Sequence, residues 1–265
     1  MTMSKTSKQN FITYAMVIVA YVIFQTLSAT GNLSSLMQGL LVPLCTYSIL
    51  AVSLNLTVGV LGELSLGHAG FMCIGAFSSA FFTACMKDTI TNDLLRFILA
   101  FIVAAVCAGI CGVLIGIPVL RLKGDYLAIV TLAFGEIIMN IINALYVGRD
   151  ESGFHFSMKD SMSLNMTENG KIIIKGAQGI TGTARQSTFT IGIILLLLTL
   201  VIVLNLMNSR SGRAIMSIRD NRIAAESVGI DITKYKIMAF AISASLAGLA
   251  GCLYAHNLSS LTALP

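Results

Sequence analysis

Phe97-Ile-Leu-Ala-Phe-Ile-Val-Ala-Ala-Val-Cys-Ala-Gly-Ile-Cys-Gly-Val-Leu-Ile-Gly-Ile-Pro-Val-Leu120 contains no charged side chain from end to end. A helix rises about 1.5 Å per residue, so a run of this length crosses the roughly 30 Å hydrocarbon core of a bilayer. Similar runs recur to either side, at Phe11–Leu27, Leu36–Val60, Ser65–Met86, Tyr126–Tyr146, Phe189–Met207 and Ile237–Ala255. Of the 265 residues, 56% are hydrophobic and only 11% charged, against about 25% charged in a soluble domain. The pattern excludes an ordinary soluble enzyme. It predicts an all-α polytopic bundle of about seven spans, organised as one transmembrane domain over residues 1–265.

Charge sets the orientation. Lys5, Lys8, Arg121 and Lys123 fall on one side of the alternating spans, together with Arg210, Arg213, Arg219, Arg222, Lys234 and Lys236. The short loops opposite hold only Lys87 and Arg96. Because cytoplasmic loops collect Lys and Arg, the N-terminus is expected to be cytoplasmic. The remaining cations lie in the long segment 147–188, and long loops cross with little regard for charge. Lys5 and Lys8 resemble the n-region of a signal peptide, but six spans follow, which favours an uncleaved first helix. The formal charge of +5 therefore sits at span ends and gives no reason to expect a nucleic-acid partner. The six cysteines lie in or beside apolar runs. Cys107 and Cys111 share a helix face but lack a third ligand, so neither a metal nor a cofactor is expected.

Two segments depart from simple spans. Gly59-Val-Leu-Gly-Glu-Leu-Ser-Leu-Gly-His-Ala-Gly70 cannot make a comfortable lipid-facing helix. It reads either as a tight interfacial turn or as a broken or re-entrant helix bordering a solute path, where irregular backbone is tolerated. The segment 147–188 is the only soluble-looking part; Asn169-Gly170 between 161–168 and Lys171-Ile-Ile-Ile-Lys175 predicts a small hairpin. Gly112-x-x-x-Gly116, Ala244-x-x-x-Gly248 and Ala247-x-x-x-Gly251 predict close helix packing.

Few residues can carry chemistry. Glu136 is the one acid well inside a span and is expected to face the bundle interior, with Asn140 one turn later on the same face. It reads as part of a solute path or as a buried group fixing helix register. Ser65 and His68, one turn apart, suggest a hydrolase only weakly, for Glu63 cannot orient both and no second histidine lies nearby. No G-x-x-x-x-G-K-[ST] sequence occurs, so the common nucleotide-phosphate loop is absent from this chain.

The basic stretch Ser209-Arg-Ser-Gly-Arg-Ala-Ile-Met-Ser-Ile-Arg-Asp-Asn-Arg-Ile-Ala-Ala-Glu-Ser-Val-Gly-Ile-Asp-Ile-Thr-Lys-Tyr-Lys236 separates the last two spans. From Arg219 to Gly229 it is patterned as a short amphipathic helix, with Ile218, Ile223, Ala224, Ala225 and Val228 alternating with Arg219, Arg222 and Glu226. Gly229 suits a C-terminal cap. Such a helix either docks a protein partner or anchors to anionic membrane lipid.

Leu61-Gly-Glu-Leu-Ser-Leu-Gly-His-Ala-Gly-Phe71, Arg121-Leu-Lys-Gly-Asp-Tyr-Leu-Ala-Ile-Val-Thr-Leu-Ala-Phe-Gly-Glu136, Gly179-Ile-Thr-Gly182 and Ile218-Arg-Asp-Asn-Arg-Ile-Ala-Ala-Glu-Ser-Val-Gly-Ile230 resemble, in the same order, the permease subunits of branched-chain amino acid ABC importers of the LivM type. The resemblance runs from about residue 36 to the C-terminus. It implies a permease subunit in the bacterial inner membrane, working with a second related permease, two ATP-binding subunits and an external solute-binding protein. Leucine, isoleucine or valine is the implied solute, with ATP hydrolysed by the partners and not by this chain. Segment 208–236 becomes the coupling loop, and Arg219, Arg222, Ala224, Ala225, Glu226 and Gly229 its docking residues. Ala224, Ala225 and Gly229 keep the Glu-Ala-Ala-three-residues-Gly spacing of importer permeases; Ile223 stands where the Glu belongs, and the following Leu-Pro is missing. Ser65, Gly67, His68, Glu136 and Asn140 become candidates for the pathway or for buried polar contacts. The resembled permeases continue with further hydrophobic helices where this chain stops at Leu261-Thr-Ala-Leu-Pro265, which implies a truncated, partial or shorter relative. Urea or a short amide is the alternative solute, and a stand-alone ion-coupled carrier using Glu136 the rival mechanism.

Overall fold

The structure, a computed structural model, describes residues 5–87, 89–122, 124–150, 153–164, 166 and 170–263. Seven of its helices are long and apolar enough to cross a membrane: α1 (Lys5–Ala29), α2 (Ser35–Asn55, continued by a π-helical turn at Leu56–Leu61), α3 (His68–Cys85), α4 (Asp93–Val119), α5 (Asp125–Ala144), α6 (Phe189–Asn208) and α9 (Ile232–Ala255). Two shorter helices, α7 (Arg210–Asp220) and α8 (Arg222–Ser227), lie between α6 and α9. The chain is a multi-pass membrane protein. Side chains set many helix starts: Ser34, Asn92, Thr188, Ser209, Asn221 and Asp231 each accept a hydrogen bond from a backbone N–H of the first turn. These caps satisfy donors that have no intrahelical partner.

Helix α9 is the centre of the bundle. On one side Ala250 and Leu253 pack with Val42, Cys45 and Ile49 of α2 and Ile193 and Leu196 of α6. On another, Phe240, Ala244 and Ala247 meet Phe71 of α3, Val119 at the end of α4 and Leu127 of α5. Small residues bring the backbones together as the sequence predicts. A methyl on Gly75 would lie 2.4 Å from Gly248 Cα, one on Gly251 would lie 2.1 Å from the Met72 carbonyl oxygen, and one on Gly112 would lie 2.6 Å from Ala244 Cβ. Helix α1 stands at the edge, meeting α6 where the Tyr21 and Phe189 rings are 5.5 Å apart.

The alternating helices give the bundle two ends. One carries the turn between α2 and α3 and the α7–α8 segment, and is here the basic end. The other carries five short strands: β1 (Tyr146–Asp150), β2 (Gly153–Ser157), β3 (Lys171–Lys175), β4 (Ile180–Thr181) and β5 (Ser260–Leu261). Strand β1 is central between β2 and β3, and β4 pairs with β5, all antiparallel. The expected hairpin is corrected here: β3 pairs with β1, the described residues Met162–Leu164 form a turn and no strand, and Asn169 lies outside the described residues. The reason is burial. Val147, Ile173 and Ile174 cover the end of α3, whereas Met162–Leu164 forms a 3₁₀ turn that buries Leu164.

Candidate functional site

The expected single helix from Arg219 to Gly229 is in fact two. Asn221 adopts an extended conformation (φ −155°, ψ 105°), ends α7 and caps α8 through its side chain to Ala224 N. Asn is among the strongest N-cap residues, which is why the break falls there. Helix α8 then closes with a Schellman motif: Gly229 N donates to Glu226 O at 3.0 Å and Ile230 N to Ala225 O at 3.1 Å, with Gly229 at φ +84°. Ala225 is buried beside Ile218 and Ile232. The outward face is apolar at its tip, with Ile223 81% and Val228 74% exposed, and is flanked by exposed Arg222, Ala224 and Glu226. In water such a tip is costly, so its chemistry suits an apolar receiving surface with polar edges.

Arg219 does not share that outward role. Its Nη1 donates to Gly59 O at 2.8 Å, and Nε and Nη2 donate to Asp220. It therefore ties the end of α7 to the π turn that ends α2. A second tie was not foreseen from sequence: Lys236, in the second turn of α9, forms an ion pair with Glu63. Both side chains are largely buried, at 7% and 17% exposed. Segment 209–236 is thus fastened at two points to residues 59–63. The signal was present in sequence as a lone acid between glycines and a lysine at a span start, but nothing there paired them.

The glycine-rich segment holds the other candidates. The π turn passes through Gly62 at φ +79° into irregular backbone before α3 starts at His68. Ser65 is therefore not one helical turn from His68. Its hydroxyl is buried without a hydrogen-bond partner among the described residues, and His68 instead shares a 2.8 Å hydrogen bond between its Nε2 and Ser53 Oγ. The Ser65–His68 dyad of the hydrolase reading is not formed. Gly67 serves close approach: a methyl there would lie 2.3 Å from Thr131 O of α5, while Leu66 N donates to Thr131 Oγ1 at 3.0 Å. This segment consequently contacts α5 as well as α7 and α9.

Glu136 reverses its expectation. It and Asn140 do share a face of α5, with Asn140 Nδ2 donating to Glu136 O at 2.8 Å, but both are exposed on the chain's own surface. The buried residues of α5 are Leu127, Ala128 and Thr131, so the helix packs inward by its first turns and leaves the acid outside.

A family model described as "Branched-chain amino acid transport system / permease component" matches residues 36–263. Two curated relatives, both described as "High-affinity branched-chain amino acid transport system permease protein LivM", come from Salmonella typhimurium and Escherichia coli K12. Each is 32% identical over 218 residues, covering 79% of this chain and 50% of the relative. The chain spans about half the length of the curated relatives it matches. No solved structure matches it. With seven helices able to cross a membrane and the glycine-rich, α5 and α8 motifs inside the matched region, the chain belongs to the permease-component family of branched-chain amino acid transport systems.

Proposed function

We propose that this chain is a permease subunit of an ATP-driven importer for leucine, isoleucine or valine, with its basic end in the cytoplasm of a bacterium and segment 209–236 as the dock for an ATP-binding subunit. The carrying observation is α8: a six-residue helix closed by Gly229, apolar at its exposed tip, and tied back to the bundle through Arg219–Gly59 and Lys236–Glu63. Movement imposed on α8 reaches residues 59–67 through both ties, and reaches α5 through Leu66 and Gly67. The energy source is thus a partner's ATP hydrolysis, switching a path between two accessible states. The remaining partners are a second related permease, a second ATP-binding subunit and an external solute-binding protein.

The exposed Glu136 supports a second permease. An ionised acid facing hydrocarbon is costly, and Ile129, Ile137 and Ile141 are exposed on the same helix. A related subunit covering this helix removes that cost and leaves Glu136 and Asn140 beside a shared path.

Reconstitution tests the reading. The complex with the second permease and ATPases is expected to take up leucine only with ATP and the solute-binding protein, and Ile223→Asp is expected to abolish uptake while leaving membrane accumulation intact. Proton-driven uptake by the isolated chain, lost in Glu136→Gln, would support the carrier mechanism instead.

A further inference from the structure

Helices α4 and α9 cross the bundle antiparallel, with Gly109 against Ser245 and Gly116 against Phe240. Two cavities follow one another along their seam. The deeper, about 620 Å³, is lined by Gly109 and Val113 of α4, Ala241 and Ser245 of α9, and Ile202 of α6. The other, about 260 Å³, opens at the basic end, between Ile117 and Arg121 on one side and Arg222, Thr233 and Ile237 on the other. Gly109, Val113 and Ile117 recur every four residues and lead to Arg121; Ser245, Ala241, Ile237 and Thr233 do the same along α9. Residues four apart share a helix face, so both cavities belong to one stripe.

The two ends of that stripe differ in chemistry. The deep part is hollow because Gly109 and Ala241 are small, and the larger side chains around it are aliphatic. Its one hydroxyl among the described residues, on Ser245, donates to Ala241 O at 2.9 Å. At the basic end Arg121 and Arg222 are exposed, and neither forms an ion pair among the described residues. Lys236 also borders this cavity, but it is held by Glu63. No carboxylate stands among the described residues of the wall. The nearby Asp231 is occupied in capping α9, accepting from Lys234 N at 3.0 Å.

The stripe is about one leaflet deep. Arg121 follows the end of α4 and Thr233 lies in the first turn of α9, which puts this end at head-group level. From Arg121 to Ala105, where the deep cavity stops, is roughly 24 Å at about 1.5 Å per residue. Half a bilayer with its head groups is about 20–22 Å. A helix from another subunit would need a furrow across both leaflets, whereas a phospholipid needs only this one.

We infer that the α4–α9 seam binds one phospholipid with an anionic head group, its phosphate held by Arg121 and Arg222 and an acyl chain laid along Ile117 and Val113. Two unpaired cations and a wall without acid select against a zwitterionic lipid, whose head group brings a cation of its own. Because Arg222 opens α8, the bound phosphate also bridges that helix to the end of α4. The site faces the bilayer and needs no partner of α8.

The chain contains no tryptophan, so a single indole can report on the furrow. Leu114→Trp, at a wall position that is 64% exposed, is made in the full chain and placed in phosphatidylcholine nanodiscs. Phosphatidylglycerol or phosphatidylcholine brominated on an acyl chain is then titrated in, since bromine quenches an indole that it touches. Half-quenching is expected at a mole fraction of the phosphatidylglycerol about thirtyfold lower than of the phosphatidylcholine, each Arg contributing about fivefold. Arg121→Gln and Arg222→Gln, each in the Leu114→Trp chain, are expected to cut that preference about fivefold. Val19→Trp, exposed on α1 away from the seam, is expected to show no preference, and soluble glycerol 3-phosphate is expected to leave the quenching unchanged. Equal quenching by the two lipids at Leu114→Trp, the same preference at Val19→Trp, or indifference to both Arg substitutions would each overturn the inference. Relief of quenching by glycerol 3-phosphate would mark the cations as a site for a free phosphate and overturn it too.

Discussion

Glu63 and Lys236 offer the sharpest test of how the start of α9, just after α8, is fastened to the segment between α2 and α3. Removing one charge of a buried pair leaves the other without its counter-ion and costs about 3–5 kcal/mol, whereas replacing both by neutral groups is often close to neutral. Glu63 keeps 17% of its side chain exposed and Lys236 7%. Lys236→Met is therefore expected at the lower end, about 3 kcal/mol, because water still reaches the stranded carboxylate. Glu63→Gln is expected to be comparably harmful. The double variant should be no less stable than the worse single one, a coupling of at least about 2 kcal/mol by a double-mutant cycle. Reversible unfolding of the purified chain in mixed detergent–denaturant micelles gives the four free energies. ATP-driven uptake by the assembled complex should fall in all three variants, the stable double one included, because the tie is absent from each. A double variant whose destabilisation equals the sum of the singles would refute the pair. Full uptake by a stable double variant would refute its role in transmission.

Gly229→Val forces a β-branched residue to φ +84°, at about 1–3 kcal/mol of local strain, and should impair ATPase stimulation while membrane accumulation measured by blotting stays normal. Gly251→Ala places a methyl 2.1 Å from Met72 O and 2.8 Å from Ala76 N, so α3 and α9 must part; about 1–3 kcal/mol of overpacking should appear as a lower midpoint in detergent thermal melts. Burial, and secondarily the Arg96 charge, lower the pKa of His256 although its bond to the Cys252 carbonyl raises it. The unfolded chain then takes up the proton first, so His256 contributes stability that is present above its unfolded pKa near 6.5 and lost as pH falls through the lowered folded value; His256→Gln should flatten that acid limb in pH-dependent melts. Single cysteines at Met162 and Ile223, in a background lacking the native ones, should label oppositely with an impermeant thiol reagent in intact cells, Met162 alone reacting from outside.

The seven spans were legible because length and hydrophobicity alone decide whether a helix can cross a bilayer, and the observed helices overlap every expected run. Their ends were less so. Asp231 caps α9 at Ile232, not Ile237, and Lys236 sits inside the helix because Glu63 neutralises it, a pairing over 173 positions of sequence. By sequence Arg96 is a loop cation, but Asn92 starts α4 early enough to bury it. Glu136 is expected inward because an ionised acid facing hydrocarbon is costly, yet it lies on the chain's own surface. Hydrophobic periodicity along α5 tells which residues are apolar, not whether the covering surface belongs to the same polypeptide. Arg219 and Ile223 show the same limit: both belong to a pattern of alternating charge and aliphatic groups, yet Asn221 turns one toward Gly59 and the other outward.

The contacts among α3, α4 and α9 have one mechanical consequence. Where Gly75 meets Gly248 and Gly251 meets Met72 O, no layer of side chains separates the backbones, so there are no rotamers to re-sort as one helix slides on the other. Translation by even a fraction of a turn drives Cα against carbonyl. Helices α3 and α9 therefore resist sliding on one another, and relative motion within the bundle is expected to carry them as a pair. Spin labels across the α3–α9 contact should hold one distance throughout turnover.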